Sequence, residues 1–340
     1  MNLESTISYI KDLCTTPSPT GYTKEAEKYL MDTFKEIGYE PYQNVKGNVI
    51  VPIKEGEENG LLLSAHIDTL GLMVRSVKAN GRLRVSPLGG YPLAYGEQEN
   101  VTVITRDLKK FTGTFRINEP AVHGSSDPKE VTRDDKNMEV VLDELTNSKE
   151  ETLELGISPG DFIAFDPRFT YSNGFIKSRH LDDKASAGML ISLAKQIKEE
   201  KIEINRPLYM MFTIYEEVGH GASSGHPKEI KDMVAVDMGV VYDDLGTDET
   251  KVSICAKDSS GPYNFDLTNE LIEIAKEKDL PYAVDVYPFY GSDASAAMAS
   301  DHDYRHALVG AGIAASHGYE RTHEKSLEAT LTLLKTLVQK

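Results

Sequence analysis

The sequence has few cysteines, fewer basic than acidic residues, and no long apolar run. Its two cysteines, Cys14 and Cys255, lack metal-site spacing and fit a reducing cytosol better than a disulfide scaffold. Lysine and arginine number 37 against 54 acidic residues, giving a net charge of -17, which argues against a nucleic-acid partner. The first residues also lack a basic segment followed by an apolar one. We therefore expect a cytoplasmic protein that binds neither nucleic acid nor membrane.

The chain does contain alternating helix and strand patterns at both ends. Its 340 residues, 40% of them hydrophobic, can bury a large core. Apolar spacing predicts helices over residues 3–13 and 23–37, and strands follow in GNVIVPI and GLLLSA. After residue 175, helices again alternate with uninterrupted apolar runs, which are typical of strands covered on both faces. We expect an α/β fold with a mostly parallel sheet flanked by helices.

The middle of the chain has a different pattern. Between residues 74 and 170, short β-like runs are separated by glycine and proline, as in RLRVS, NVTVIT and FTGTFRI. This pattern predicts an inserted β-rich domain in a main domain made of residues 1–73 and 171–340. The alternative is that these strands extend the main sheet.

Six residues of metal-ligating type lie where predicted strands end or a helix begins. In open α/β sheets, sites form outside the carboxyl ends of the strands, so side chains at those ends can converge. Each residue alone has a plainer interpretation, such as a helix N-cap for Asp182 or a turn for Asp237. Their distribution over separate βα units favours one shared site. The six are His66, Asp182, Glu216, Glu217, Asp237 and His323.

These residue types suit a pair of divalent ions. Two adjacent ions need a shared carboxylate that screens their repulsion, and each needs further histidine or carboxylate ligands. We expect Asp182, in the segment LDDKASAG, to be the shared ligand. The remaining ligands are expected to be His66 and Asp237 for one ion, and Glu217 and His323 for the other.

Glu216 and two further carboxylates receive supporting roles. Glu216, next to a ligand, could accept a proton from the attacking water and pass it to a leaving amine. Asp68 lies two residues beyond His66, so on an extended chain it could accept the free imidazole N–H. Asp183 would orient the loop that carries Asp182. For Asp68 the alternative is a surface aspartate.

Several segments resemble the tetrahedral and glutamyl aminopeptidase family of dinuclear metallopeptidases. The segments that carry this resemblance, in order, are AHIDTLGLMV, LDDKASAG, YEEVG, AVDMG and RTHEKS, and the similarity spans nearly the whole chain. The resemblance implies a catalytic α/β domain interrupted by a small β-barrel-like domain that pairs subunits. It also implies zinc or cobalt, and hydrolysis of peptide bonds at a free N-terminus. By the same resemblance, Asp293 in YGSDASAAM is expected to line the substrate pocket, with helix capping as the alternative.

Two other functions are compatible with the sequence. One is an N-acyl amino-acid deacylase or dipeptidase that uses the same residues on a different amide. The other is a non-catalytic binding or scaffold protein, although such a protein would need neither the metal ligands nor Glu216. The remaining histidines, including His317, are expected on the surface or in packing. We expect a homo-oligomeric metalloaminopeptidase that acts on peptides and binds two divalent ions per subunit.

Overall fold

The described residues, 3–124 and 128–340 of a computed structural model, form seven helices and nineteen strands. The helices are α1 (Leu3–Thr15), α2 (Lys24–Ile37), α3 (Lys149–Glu154), α4 (Leu181–Glu199), α5 (Phe265–Glu277), α6 (Asp293–Ala299) and α7 (Glu324–Leu337). The strands are β1 (Tyr42–Gln43), β2 (Val49–Lys54), β3 (Gly60–His66), β4 (Gly71–Val77), β5 (Leu83–Leu88), β6 (Asn100–Ile104), β7 (Lys110–Ile117), β8 (Met138–Leu142), β9 (Phe162–Phe165), β10 (Thr170–Ser172), β11 (Phe175–Ser178), β12 (Leu208–Thr213), β13 (Ile230–Val236), β14 (Gly239–Val240), β15 (Val252–Asp258), β16 (Gly261–Pro262), β17 (Tyr282–Val286), β18 (Arg305–Ile313) and β19 (Glu320–His323).

A ten-stranded sheet forms the larger part of the molecule. Its main path runs β1-β2-β12-β3-β13-β18-β15-β16, with β14 beside β18 and β17 beside β15. The four central strands β12, β3, β13 and β18 are parallel, whereas β2 and β15 join them in antiparallel orientation. The expected α/β class with a largely parallel sheet is confirmed. The carboxyl ends of the four central strands therefore lie at one edge of the sheet.

The β-rich middle segment forms a closed barrel. Its six strands follow the order β4-β5-β8-β7-β6-β9. A separate apolar core fills it and includes Leu72, Val85, Phe115 and Ile163, each fully buried. The alternative that these strands extend the main sheet is wrong, because they pair with one another around the barrel. Closure removes the exposed edges that an open sheet of this size would present.

Helix α4 is buried along nearly its whole length between the sheet and α1. Its first turns are rich in small residues, and this composition lets α1 approach closely. A Cβ at Gly188 would lie 2.6 Å from Ile10 Cγ1 and 3.0 Å from the Ile10 backbone nitrogen. Glycine at this position therefore sets the helix spacing and, through it, the position of Asp182 at the start of α4. None of the helices in residues 3–124 and 128–340 has the length and apolar character needed to cross a membrane.

Candidate metal centre and active site

The candidate site lies at the carboxyl edge of the four parallel strands. His66 is the last residue of β3, and Asp237 directly follows β13. Glu216 and Glu217 come soon after β12, and Asp182 enters the same edge from the start of α4. These are positions at which the sequence predicted metal ligands, apart from Glu216, which was predicted to be the base. The parallel order of the strands accounts for their proximity, since each strand delivers its next residues to one edge.

The first group of potential ligands consists of His66, Asp182 and Asp237. One ligand atom from each lies within 4.8 Å of the others, and all three residues are buried. The backbone N–H of Asp237 donates to the Val309 carbonyl at 3.1 Å. A Cβ at Gly310 would lie 1.4 Å from the Asp237 carbonyl oxygen, so only glycine permits this close approach to β18. The sheet itself therefore fixes the position of Asp237.

The second group consists of Asp182, Glu217 and His317, again with ligand atoms within 4.8 Å of one another. The Nε2 atom of His317 lies 3.4 Å from Asp182 Oδ2 and 3.6 Å from Glu217 Oε2. Asp182 belongs to both groups, as a shared ligand must. His317 was expected to be a surface or packing residue, and the structure corrects that expectation.

His323, the histidine expected in this position, lies elsewhere. It ends β19 and caps α7, where its Nδ1 accepts the backbone N–H of Lys325 at 3.1 Å. Its ring packs edge-on against Phe175, with centroids 4.7 Å apart. The physical reason is the path of the chain, because His317 follows soon after the carboxyl end of β18. The chain then turns into β19, which runs along β11 and carries His323 away from the ligand groups.

Both histidines of the site have one ring nitrogen held by a backbone carbonyl. Nδ1 of His66 lies 2.9 Å from the Asp68 carbonyl, and Nδ1 of His317 lies 2.7 Å from the Gly90 carbonyl. A carbonyl can only accept, so each Nδ1 carries the proton and each Nε2 is free to act as a ligand. Both Nε2 atoms face Asp182. This arrangement fixes the tautomer and the orientation of metal-binding histidines.

Asp68 has a different role from the one expected. Its carboxylate lies 3.6 Å from His66 Nδ1, whereas its own backbone carbonyl accepts the imidazole N–H. The carboxylate instead accepts the backbone N–H groups of Glu216 at 3.1 Å and Glu217 at 3.4 Å, and the Thr20 hydroxyl at 2.7 Å. Asp68 is fully buried, so the surface alternative is also wrong. It therefore contacts the segment that carries both glutamates.

Glu320 links Asp182 and His317, two potential ligands of the second group. One of its carboxylate oxygens accepts the Asp182 backbone N–H at 3.0 Å, and the other accepts that of His317 at 2.9 Å. Asp183, expected to orient its loop, accepts the His66 backbone N–H at 3.1 Å. Both carboxylates are buried. Glu320 was not predicted from the sequence, because nothing in the segment HGYERTH distinguishes it from the neighbouring charged residues.

Asp293 lies behind the glutamate segment and is not among the residues that line the cavity. It is 3% exposed, so the expectation that it lines the pocket is not met. One carboxylate oxygen accepts the Thr213 hydroxyl at 2.5 Å and the other accepts the Ala222 N–H at 2.8 Å. The N-cap of α6 is Ser292, so the capping alternative for Asp293 is wrong as well. Asp293 instead joins the two ends of the segment that carries Glu216 and Glu217.

Burial and like charge raise the pKa of most carboxylates in the site. Burial, together with the Asp182 charge, raises the pKa of Asp237 to about 7 and also raises that of Glu217. Burial raises the pKa of Glu216 against the opposing effect of His66. For Asp182 itself, burial is outweighed by hydrogen bonds with the two site histidines, so its pKa is lowered. Such a cluster favours bound cations or bound protons.

The donor set fits divalent metal ions. In the described part of the chain, no lysine or arginine forms an ion pair with Asp182, Glu216, Glu217 or Asp237, and the ion pairs of the first three are with histidines. Imidazole nitrogens combined with carboxylate oxygens suit ions such as zinc and cobalt. Asp182 would be shared by both groups. The negative charge of these buried carboxylates would be offset by the ions.

A cavity of about 690 Å³ opens beside the two groups. Glu216 and Glu217 line it together with Asp182, Asp237 and His317. The barrel segment also contributes, since Gly90, Pro92 and Tyr95 line the same cavity. Its size is within the range of small-molecule sites and admits an amino-acid residue with part of a peptide.

The chain is similar to peptidases over nearly its whole length. The sequence profile of the M42 glutamyl aminopeptidase family matches residues 47–333. The Bacillus subtilis (strain 168) protein YhfE, which is named as an aminopeptidase, is 43% identical over 340 residues, covering 99% of this chain and 98% of YhfE. The lysyl aminopeptidase of Pyrococcus furiosus is 25% identical, covering 97% of this chain and 96% of that protein. The solved TET1 peptidase of Pyrococcus horikoshii, which can assemble into a tetrahedron or a large octahedral shell, has a TM-score of 0.86 and 27% identity, covering 98% of this chain and 99% of that chain.

Proposed function

Because the chain belongs to the M42 glutamyl aminopeptidase family, we propose that its two ligand groups hold two divalent ions and that the protein removes N-terminal residues from peptides. The observation that carries this proposal is the sharing of Asp182 between the groups beside one cavity. His66 and Asp237 would complete one metal site, and Glu217 and His317 the other. Zinc or cobalt suits these donors.

When bound, the ions would supply Lewis acidity and would lower the pKa of a water molecule. The protein's own groups prepare this chemistry. The carbonyls of Asp68 and Gly90 fix the two histidine rings, so that both Nε2 atoms face Asp182. Glu320 and Asp183 hold the backbone that carries the ligands. The substrate would therefore meet a preorganised site.

Glu216 is the proposed general base and acid. It lines the cavity, belongs to neither ligand group, and has one carboxylate oxygen 3.7 Å from His66 Nε2. A carboxylate in this position can take the proton of the attacking water and deliver it to the amine that leaves. The hydrogen bond from its backbone N–H to Asp68 limits the movement of its Cα. The raised pKa of its buried carboxyl favours proton uptake.

The competing functions have less support. The family profile and the two relatives named above carry the name aminopeptidase, which favours neither a deacylase nor a dipeptidase. A binding or scaffold protein would have no use for two complete ligand groups and Glu216. The two free, buried cysteines support the cytoplasmic location expected from the sequence.

We also propose that copies of this chain assemble through the barrel-containing segment, residues 74–170, as a domain inserted into residues 1–73 and 171–340. The assembly of the similar TET1 peptidase supports a homo-oligomer. This segment exposes Leu108, Val122 and Leu145, which are 57%, 69% and 100% exposed. Large exposed apolar patches often mark contacts between subunits. Deleting the segment is a poor test, because Gly90 holds His317 and several barrel residues line the cavity.

Two experiments test these proposals. Metal analysis of the purified chain should give two divalent ions per subunit, and a chelator should abolish hydrolysis of free aminoacyl amides. The N-acetylated amides should not react, with or without the chelator. Hydrolysis of the blocked amides alone would instead favour a deacylase. Sedimentation of the variant Leu108→Asp, Val122→Asp, Leu145→Asp should show smaller particles than the wild type. Equal particle masses would contradict the barrel as the contact surface.

A further inference from the structure

The cavity is lined by charged and by neutral residues, and we call the two sets its charged wall and its neutral wall. Its ionisable acidic and histidine side chains all belong to the candidate metal centre described above. The remaining lining residues in the described chain are neutral, and no lysine or arginine is among them. The residues of the charged wall are therefore already used as proposed metal ligands or as the proposed base. Only the neutral wall is available to a substrate side chain.

Apolar side chains form much of the neutral wall. Met238 follows Asp237 directly, and Val240 lies two residues further along β14. Tyr290 also lines the cavity. Its hydroxyl donates to the Met238 carbonyl at 3.1 Å, so the polar end of this side chain is already paired. Phe289 lines the cavity while 95% exposed, a position at the rim. These four residues offer van der Waals contact rather than charge.

The polar side chains of the neutral wall are largely paired within the protein. The Ser260 hydroxyl donates to Asp258 at 2.5 Å. The hydroxyls of Ser292 and Ser295 form the capping box at the start of α6, and Ser292 also bonds with the Tyr263 hydroxyl at 2.8 Å. A charged substrate side chain would therefore find no opposite charge and few free hydrogen-bonding groups on this wall. Burying a charge without such partners is costly.

We infer that the neutral wall selects peptides whose N-terminal residue is uncharged and apolar, such as leucine, methionine or phenylalanine. This inference rests on the proposed aminopeptidase function. A glutamate side chain would lack a cation, and a lysine side chain would lack a carboxylate that is not a proposed metal ligand or base. Val240 and Phe289 are the specificity-determining residues that substitution can test, because both line the cavity and neither belongs to a ligand group.

The first test compares kcat/KM for the p-nitroanilides of leucine, methionine, phenylalanine, glutamate and lysine, using the metal-loaded wild-type protein. The apolar substrates should exceed the glutamyl and lysyl substrates by at least about 100-fold. Glutamyl or lysyl cleavage within about tenfold of leucyl cleavage would overturn the inferred specificity and leave the aminopeptidase function standing. Failure to cleave any of these substrates would overturn the proposed function, and the specificity with it.

The second test introduces a cation into the neutral wall. Val240→Arg should raise the ratio of glutamyl to leucyl kcat/KM by at least about tenfold and lower the lysyl to leucyl ratio. Phe289→Arg should act in the same direction, and its exposed position makes it safe for folding. Val284→Arg is the matched control, because Val284 is exposed on β17 of the same sheet and does not line the cavity. Unchanged ratios in both cavity variants would overturn the assignment of this wall.

Discussion

Glu320 accepts the backbone N–H of His317 at 2.9 Å, with its second carboxylate oxygen bonded to the N–H of Asp182. The carboxylate thus sets the distance between a histidine and an aspartate that come from separate parts of the fold. His317 has a positive φ of 65°, a conformation that side chains seldom adopt without support. The hydrogen bond from its N–H to Glu320 provides such support. Glu320 is therefore a positioning residue for the second ligand group.

Replacing Glu320 should weaken metal binding more than it destabilises the fold. Glu320→Ala removes both acceptors, so His317 and Asp182 should lose their alignment and the second ion should bind about 10- to 100-fold more weakly. Titration of the metal-free protein with zinc measures this change. Glu328→Gln, an exposed glutamate on α7, is the control and should leave both affinities unchanged. Two unaltered affinities in Glu320→Ala would show that the ligands do not depend on this carboxylate.

The shared ligand should be the most sensitive position in the site. Asp182→Ala removes the carboxylate that belongs to both ligand groups, so metal pairing and activity should be lost together. We expect at most one tightly bound ion per chain and a fall in kcat/KM of at least about 1000-fold. Metal analysis and aminoacyl amide hydrolysis measure the two effects. A variant with two ions and near-normal turnover would rule out a bridging role.

A substitution at Glu216 should lower catalysis without loss of metal binding. Glu216→Gln keeps the size of the side chain but removes its basic carboxylate, so both ions should remain while kcat falls about 100-fold or more. Glu217→Gln is the matched comparison, since this residue lies in the second ligand group and its variant should lose affinity for an ion. If the two variants gave the reverse results, the roles of the adjacent glutamates would be exchanged.

Sequence patterns predicted the parts of the site that depend on strand order. His66, Asp237 and Glu217 directly follow or closely follow apolar runs that had to be buried strands, and the parallel sheet brings their side chains together. That His317 and not His323 lies in the second ligand group depends on a turn after β18 and on the pairing of β19 with β11. Such a contact between distant segments leaves no local pattern in the sequence.

The supporting carboxylates were harder to predict for the same reason. Spacing correctly placed Asp68 beside His66, but its carboxylate bonds to the glutamate segment, which lies 148 residues away along the chain. Asp293 was expected to line the cavity, yet it lies buried against Thr213 and Ala222. Hydrogen bonds between remote segments decide these roles. Sequence periodicity describes only the element on which each residue lies.

Asp293 should affect turnover through the glutamate segment. Tyr215, next to Glu216, has a φ of 136°, so this segment needs external support. Asp293→Ala removes the acceptors for Thr213 and Ala222, and kcat should fall about 10- to 100-fold with little change in KM or metal content. Asp266→Ala is the control, because Asp266 is an exposed aspartate in the first turn of α5. A change in KM alone would instead indicate the direct substrate contact that burial argues against.

The site should make the metal-free protein less stable as the pH rises. Burial and the Asp182 charge raise the pKa of Asp237 to about 7 and that of Glu320 to about 8. Above about pH 4.5, the unfolded chain has released these protons while the folded chain retains them. The free energy of unfolding therefore falls as the pH rises toward 8. His317 acts in the same direction, because Asp182 raises its pKa to about 10 despite burial. The stability that its charge contributes therefore decreases between about pH 6.5 and about pH 10.

Bound divalent ions should remove this pH dependence, because they replace the protons as the charges that offset the carboxylates. Calorimetry in chelator should show Tm falling between about pH 5 and about pH 8, whereas the zinc-loaded protein should change less over that range. Asp237→Asn removes one of the titrating groups and should flatten the slope in chelator. A Tm in chelator that stays constant or rises with pH would contradict the prediction, because it would mean that these carboxylates ionise in the folded protein without opposing charge.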